Sequence, residues 1–293
     1  RDSKRNVIHI ADNLRPRNLT NYPKLTATAH WLETEFREAG YSEVERQDYD
    51  VEGLTATNLI VEIPGSNRAD EIVVLGAHYD TFKDTPGAND NASGVAALLV
   101  LAREFASAKP RRTLRFVAFT NEEPPYFQTP DMGSWVYARE CRRNDEDIVA
   151  MLSLETMGYY TNEPKSQTLT PPFDLAYPST GNFVALVGDV PSRRLVREVI
   201  RSFRASEPFP SEAVALPDTV PGVGWSDQWS FWQEGYPGVM VTDTAFLRYR
   251  HYHKPTDTPD KIRYERLVRV VRGLGTVVAD LALAELPAEN PAP

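Results

Sequence analysis

The sequence predicts an α/β fold, a single domain with a mixed, mostly parallel central β-sheet flanked by helices on both faces. Three observations carry this. Apolar runs of strand length alternate with longer segments of helical spacing. The central runs are apolar throughout, as in strands covered on both faces. The chain is 293 residues long, enough to bury a sizeable core without a covalent staple.

The elements follow in order. Thr26 to Ala39 has apolar positions at helical spacing and stops at Gly40, a residue suited to the left-handed position that closes a helix. Asn58 to Ile63 reads as a strand closed by Pro64-Gly65. Glu71 to Ala77 is an apolar run suited to a central strand, and Ser93 to Ala108 follows as a helix. Leu114–Phe119, Val149–Leu154, Asn182–Val187 and Gly238–Thr242 are further strands. Helices are expected at Ser192–Ala205 and Tyr264–Leu283. No internal repeat divides the chain. The polar stretch Thr161–Ser179 and the Pro-rich tail Pro287–Pro293 have linker-like composition, but neither splits it, so residues 1–293 read as one domain.

Composition narrows the function. Hydrophobic residues at 41% and charged residues at 25% are ordinary for a globular protein. A net charge of −9 argues against nucleic acid or an anionic membrane as the main partner, since both attract basic surfaces. No apolar run reaches the length of a membrane span. The single cysteine, Cys141, permits no intrachain disulfide and reads as a small apolar filler. No signal peptide is present, and the opening Arg1-Asp2-Ser3 is what removal of a leader or tag would leave.

In sheets of this class, ligands gather at the carboxyl ends of the parallel strands. Strand 71–77 runs into His78-Tyr79-Asp80, strand 114–119 into Thr120-Asn121-Glu122-Glu123, and strand 149–154 into Glu155. Gly87-Ala88-Asn89-Asp90-Asn91-Ala92-Ser93-Gly94 precedes the helix at 93, and Tyr252-His253 stands near the end. Each exit offers an imidazole or a carboxylate, the ligand types of catalytic zinc. Acids crowded at one edge repel one another unless a cation holds them. Adjacent Glu122 and Glu123 can divide the work between a ligand and a proton-transferring base. Of the other histidines, His9 and His30 read as structural or solvated and His251 as a rim residue. Asp257, before a turn-like Thr258-Pro259, reads as loop support.

The set HYD, GANDNASG, NEE, a carboxylate after a strand, and YH followed by TDTPDK resembles the M28 family of zinc metallopeptidases, from about residue 26 to residue 283. The resemblance implies a zinc-exopeptidase type of fold with two zinc ions at the sheet edge. It implies that His78 and Glu155 bind one zinc, Glu123 and His253 the other, and that Asp90 bridges them. Asp80 matches the acid that orients the His78 ring, and Glu122 the general base. The family usually has Asp where this chain has Glu155. Tyr252 could donate a hydrogen bond to the oxyanion. The activity implied is hydrolysis of an N-terminal peptide bond in a peptide or small amide, with a glutaminyl cyclase using one zinc, or a non-catalytic binding domain, as alternatives. Cyclases of this fold typically carry Trp where this chain has Tyr252. A family rich in secreted members favours a secreted or periplasmic location, while the oligomeric state stays open. Trp225-Ser226-Asp227 and Trp229–Trp232 read as packing or as a wall of the substrate pocket. The loop Pro124–Met132, with Phe127, is expected to shape specificity.

Overall fold

A computed structural model describes residues 2–169 and 171–283, so the Pro-rich tail at 287–293 lies outside the described residues. Eight strands form one sheet: β1 (Glu45–Val51), β2 (Leu54–Ile63), β3 (Arg68–His78), β4 (Arg112–Phe119), β5 (Asp147–Glu155), β6 (Val184–Gly188), β7 (Ser211–Ala215) and β8 (Gly238–Thr242). Their spatial order is β1-β2-β4-β3-β5-β8-β6-β7.

The four central strands β4, β3, β5 and β8 are mutually parallel, so their carboxyl ends share one edge. The flanks differ. β1 pairs antiparallel with β2, β2 with β4, and β6 with β8, while β7 runs parallel to β6. The sheet is therefore mixed, and the expected parallel majority is confined to its centre. Strand direction on the flanks depends on partners distant in sequence, which a local apolar pattern does not encode.

The central strands are buried on both faces, which is why they read as unbroken apolar runs. Val73, Leu75 and Ala77 of β3 join one core, and Ile72 and Val74 the other. The first core lies under α1 (Asp2–Ile8), α2 (Tyr22–Ala39), α3 (Ala92–Phe105), α5 (Arg193–Ser206) and α8 (Tyr264–Ala282). On the second face, α4 (Gly133–Arg143) and α6 (Gln228–Gln233) bring Tyr137, Ala138, Cys141 and Phe231 onto Val117, Phe119 and Met151. Cys141 is buried there as filler, and burial pushes its thiol up. The short helix α7 (Ala245–Arg248) follows β8.

Helix α2 ends where Gly40 adopts φ 115°, its N–H donating to the carbonyls of Arg37 and Phe36, as the sequence indicates. α2 begins four residues earlier than its apolar spacing suggests, at Tyr22, with Pro23 in its first turn. Strand β1 escaped the sequence reading because ERQDYDV alternates charge with half-buried positions and has no apolar run. Strand β7 and helices α1, α4, α6 and α7 escaped it too, being short or polar on most positions.

Beyond β8 the second face is covered more thinly among the described residues. Phe183, Ala185, Val187, Val223 and Met240 form a small separate core there, met by Trp232 of α6, with the four-residue α7 and loops beside it. The consequence is a cavity.

Candidate metal centre

Each predicted side chain lies at the carboxyl edge. His78 ends β3, Glu155 ends β5, and Glu122-Glu123 follow β4 after Asn121, whose φ of 56° turns the chain. All five of His78, Asp90, Glu122, Glu123 and Glu155 are buried. His253, from the loop after α7, is half-buried.

Two sets of three donors meet at Asp90. His78, Asp90 and Glu155 offer atoms that all lie within 4.8 Å of one another, and so do Asp90, Glu123 and His253. His78 Nε2 is 3.4 Å from Asp90 Oδ1 and 3.2 Å from Glu155 Oε2. His253 Nε2 is 3.1 Å from both Asp90 Oδ2 and Glu123 Oε2. Glu155, longer than the aspartate usual in the family, thus reaches the imidazole it was expected to accompany. Yet both His78 ring nitrogens, Asp90 Oδ2 and Glu123 Oε1 are buried without a hydrogen-bond partner. Buried polar atoms are rarely left so. Atoms that converge in this way could hold a cation between them.

Protonation equilibria point the same way. Burial, reinforced by Asp90, pushes Glu123 up to about 8. Glu122 is pushed well above the usual carboxylate range by burial, with Glu155 and Glu123 adding and His78 opposing. Burial alone would raise Asp90, but His253 and His78 beside it hold it below the usual range. Burial would lower His253, but Asp90 and Glu123 carry it up to about 10. Four carboxylates and two imidazoles thus crowd one buried edge, a donor set that a cation could neutralise.

The second layer explains the positions. Asp80 accepts from the backbone N–H of Glu122 at 3.1 Å and of Glu123 at 3.0 Å, and its Oδ1 faces His78 Nδ1 at 3.4 Å. One carboxylate therefore sets both the imidazole and the glutamate pair. Asp257 accepts from the N–H of Asn89 and Asp90 and from the Tyr249 hydroxyl, so it supports the loop, as expected. Asn91 caps α3 by accepting from Gly94 N–H, which frees Asp90 from capping. Gly94 has to be glycine, since a Cβ there would meet the Leu154 carbonyl oxygen at 2.2 Å. His253 is sandwiched between Phe82, ring centroids 4.3 Å apart, and Tyr252, at 3.9 Å. His251, also half-buried, accepts or donates only to Thr256 and takes no part in either donor set.

Several contributors were not legible in the sequence. Ser226 donates to Glu155 Oε2 at 2.7 Å. Asp227 is fully buried nearby, both oxygens unpartnered, and burial pushes it up to about 7. Arg17, also fully buried, donates to the carbonyls of Ile10, Tyr79, Pro86 and Gly87. It clamps the N-terminal segment onto the loops that carry His78 and Asp90. Arg17→Met removes the guanidinium donors from these carbonyls, of which Gly87 keeps the Ala92 N–H, and is expected to lower unfolding stability by about 3 kcal/mol or more. The midpoint of urea unfolding measures this, and a midpoint unmoved within error rejects the clamp.

A cavity of about 370 Å³ opens beside the centre, with Glu155 and Tyr252 among its lining residues. Its walls come from β6, β7 and β8, from residues 216–225 and 244–247, and from Gln167, Leu169, Phe173 and Tyr177. The stretch 161–179, linker-like in composition, is therefore a cavity wall. Trp225 belongs to the cavity, while Trp229 packs on Trp135 and the Trp232 indole donates to the Gly238 carbonyl. No residue of the loop Pro124–Met132 lines the cavity itself, but Gln128 donates to the Gly224 carbonyl, between the lining residues Val223 and Trp225, so the loop is tied to the cavity wall.

The sequence pattern of peptidase family M28 matches residues 58–278. The chain belongs to peptidase family M28. Within that family framework, it is 34% identical over 284 residues to the uncharacterized protein YfbL of Escherichia coli (strain K12), covering 94% of this chain and 86% of that one. The LapA aminopeptidase of Legionella pneumophila superposes with a TM-score of 0.77 at 18% identity, over 98% of this chain and 72% of that one. A glutaminyl cyclase of Fimbriiglobus ruber gives 0.67 at 20% identity, over 94% and 93%. These two likenesses establish the shared fold. Some M28-related chains are longer. The chain spans 32% of a probable zinc metalloprotease of Pyrenophora teres f. teres (strain 0-1), to which it is 30% identical over 154 residues, 45% of its own length. Among the described residues, no helix is long and apolar enough to cross a membrane.

Proposed function

We propose that the chain is a zinc aminopeptidase that hydrolyses N-terminal peptide bonds with two zinc ions. The observation that carries this reading is the pair of donor sets sharing Asp90, with Glu122 buried beside them and belonging to neither. His78 and Glu155 with Asp90 would hold one ion, and Glu123 and His253 with Asp90 the other. Imidazole and carboxylate suit zinc, and the unpartnered buried atoms fit such an occupant. When bound, a zinc pair polarises the scissile carbonyl and lowers the pKa of the attacking water.

The protein's own groups then do the rest. Glu122, whose Oε2 is 3.7 Å from His78 Nε2, takes the water proton and passes it to the leaving amine. Asp80 acts through others, holding the Glu122-Glu123 backbone and facing His78. Tyr252 donates to the carbonyl oxygen as negative charge develops on it. Burial and four nearby carboxylates keep that phenol protonated well above its ordinary range. Glu155, which lines the cavity, also offers negative charge to the free amine of the substrate.

The test is release of p-nitroaniline from aminoacyl-p-nitroanilides by zinc-loaded protein, run beside cyclisation of a peptide with N-terminal glutamine. Aminoacyl release without cyclisation supports the reading. Cyclisation alone identifies a cyclase, and neither reaction identifies a binding domain. Tyr252→Phe is expected to lower kcat by about a hundredfold with KM nearly unchanged. A kcat equal to that of the unaltered protein would remove Tyr252 from the reaction.

A further inference from the structure

The cavity is too large for an ordinary aliphatic side chain. A benzene ring fills an engineered cavity of about 150 Å³. Here about 370 Å³ is available, so a single ring leaves much of it empty.

Its interior is also apolar. Phe183, Ala185, Val187, Val214, Met240 and Phe173 are among its lining residues. The polar side chains that reach it are mostly engaged elsewhere. Thr156 and Thr242 bond each other at 3.0 Å. Gln167 and Thr244 bond each other, and Gln167 also accepts from Arg248. The remaining carboxylate, Glu212, is half-exposed and lies 3.8 Å from Arg204. At the rim, Trp225 and Phe246 are both partly exposed, their ring centroids 4.8 Å apart. Both also line the cavity and add to its apolar surface.

Shared lining links the cavity to the chemistry, because Glu155 and Tyr252 belong to both. We propose that the cavity receives the side chain of the substrate's N-terminal residue, and that it is built for a two-ring aromatic group, tryptophan among the natural residues. This rests on the aminopeptidase reading. An amine held at Glu155 leaves its side chain free to enter the cavity, and the more apolar surface it brings, the more of the cavity it fills.

Two readouts test this. The first is kcat/KM of the zinc-loaded protein for aminoacyl-p-nitroanilides from alanine through leucine, phenylalanine and tryptophan to 2-naphthylalanine. The expected result is a rise throughout, with tryptophan about a hundredfold or more above alanine. The second is calorimetric binding of the corresponding amino acid amides, where tryptophan amide binds more tightly than alanine amide and with a negative heat-capacity change. Ala185→Phe, and separately Val214→Phe on the edge strand β7, should lower kcat/KM for tryptophan far more than for alanine and so abolish the preference. Turnover that peaks at alanine or leucine, or tryptophan amide binding no tighter than alanine amide, overturns the cavity assignment and leaves the peptidase intact. Failure to release any aminoacyl group overturns the peptidase reading, and the assignment with it.

Discussion

Replacing Glu122 by glutamine is expected to lower kcat about a thousandfold while zinc content stays unchanged. The side chain keeps its size but can no longer accept a proton. It belongs to neither donor set, and its backbone N–H, which donates to Asp80, is untouched. Its neighbour provides the contrast. Glu123 lies 3.1 Å from His253 and belongs to the second set, so Glu123→Gln should cost zinc as well as rate. Steady-state kinetics with an aminoacyl-p-nitroanilide and elemental analysis of the same preparations separate the two. A Glu122→Gln protein with kcat within about tenfold of normal contradicts the assigned base. So would one that had lost its zinc.

Asp90→Asn should have the largest effect on metal, because Asp90 is the one residue common to both donor sets. An amide of equal size cannot bridge two cations as a carboxylate does. Loss of both ions and of all measurable turnover is the expected result. The fold should survive, since Asn91 caps α3 and Asp257 still accepts from the backbone N–H at position 90. Circular dichroism checks the fold, and elemental analysis the metal. Two zinc ions retained per chain after this substitution would show that Asp90 does not bridge.

The site was legible where chemistry coincides with local pattern. His78, Glu122-Glu123 and Glu155 each stand where an apolar strand stops, and the sheet brings such ends together because β3, β4 and β5 are parallel. Asp90 and His253 were legible through motif order rather than strand position. What supports them was not. Arg17 acts on carbonyls more than sixty residues away, at Tyr79 and Pro86, and an arginine in a polar segment gives no sign of burial. Ser226 meets Glu155 across 71 positions. Phe82 reads as a loop aromatic until His253 is stacked on it. The cavity lies where, among the described residues, the second face beyond β8 is covered only by short segments such as α7, and a local pattern cannot register how far a face is covered. In the proposed scheme Ala185, Val214 and Phe173 line the pocket, and the loop that carries Phe127 meets its wall through Gln128.

The central claim is that two zinc ions act together through Asp90. Its most direct test is stepwise addition of zinc to chelator-stripped protein while aminoacyl release is followed. The account predicts that activity, absent at the start, reaches its plateau at two equivalents per chain. A plateau at one equivalent, or full release from the stripped protein before any zinc is added, would contradict it.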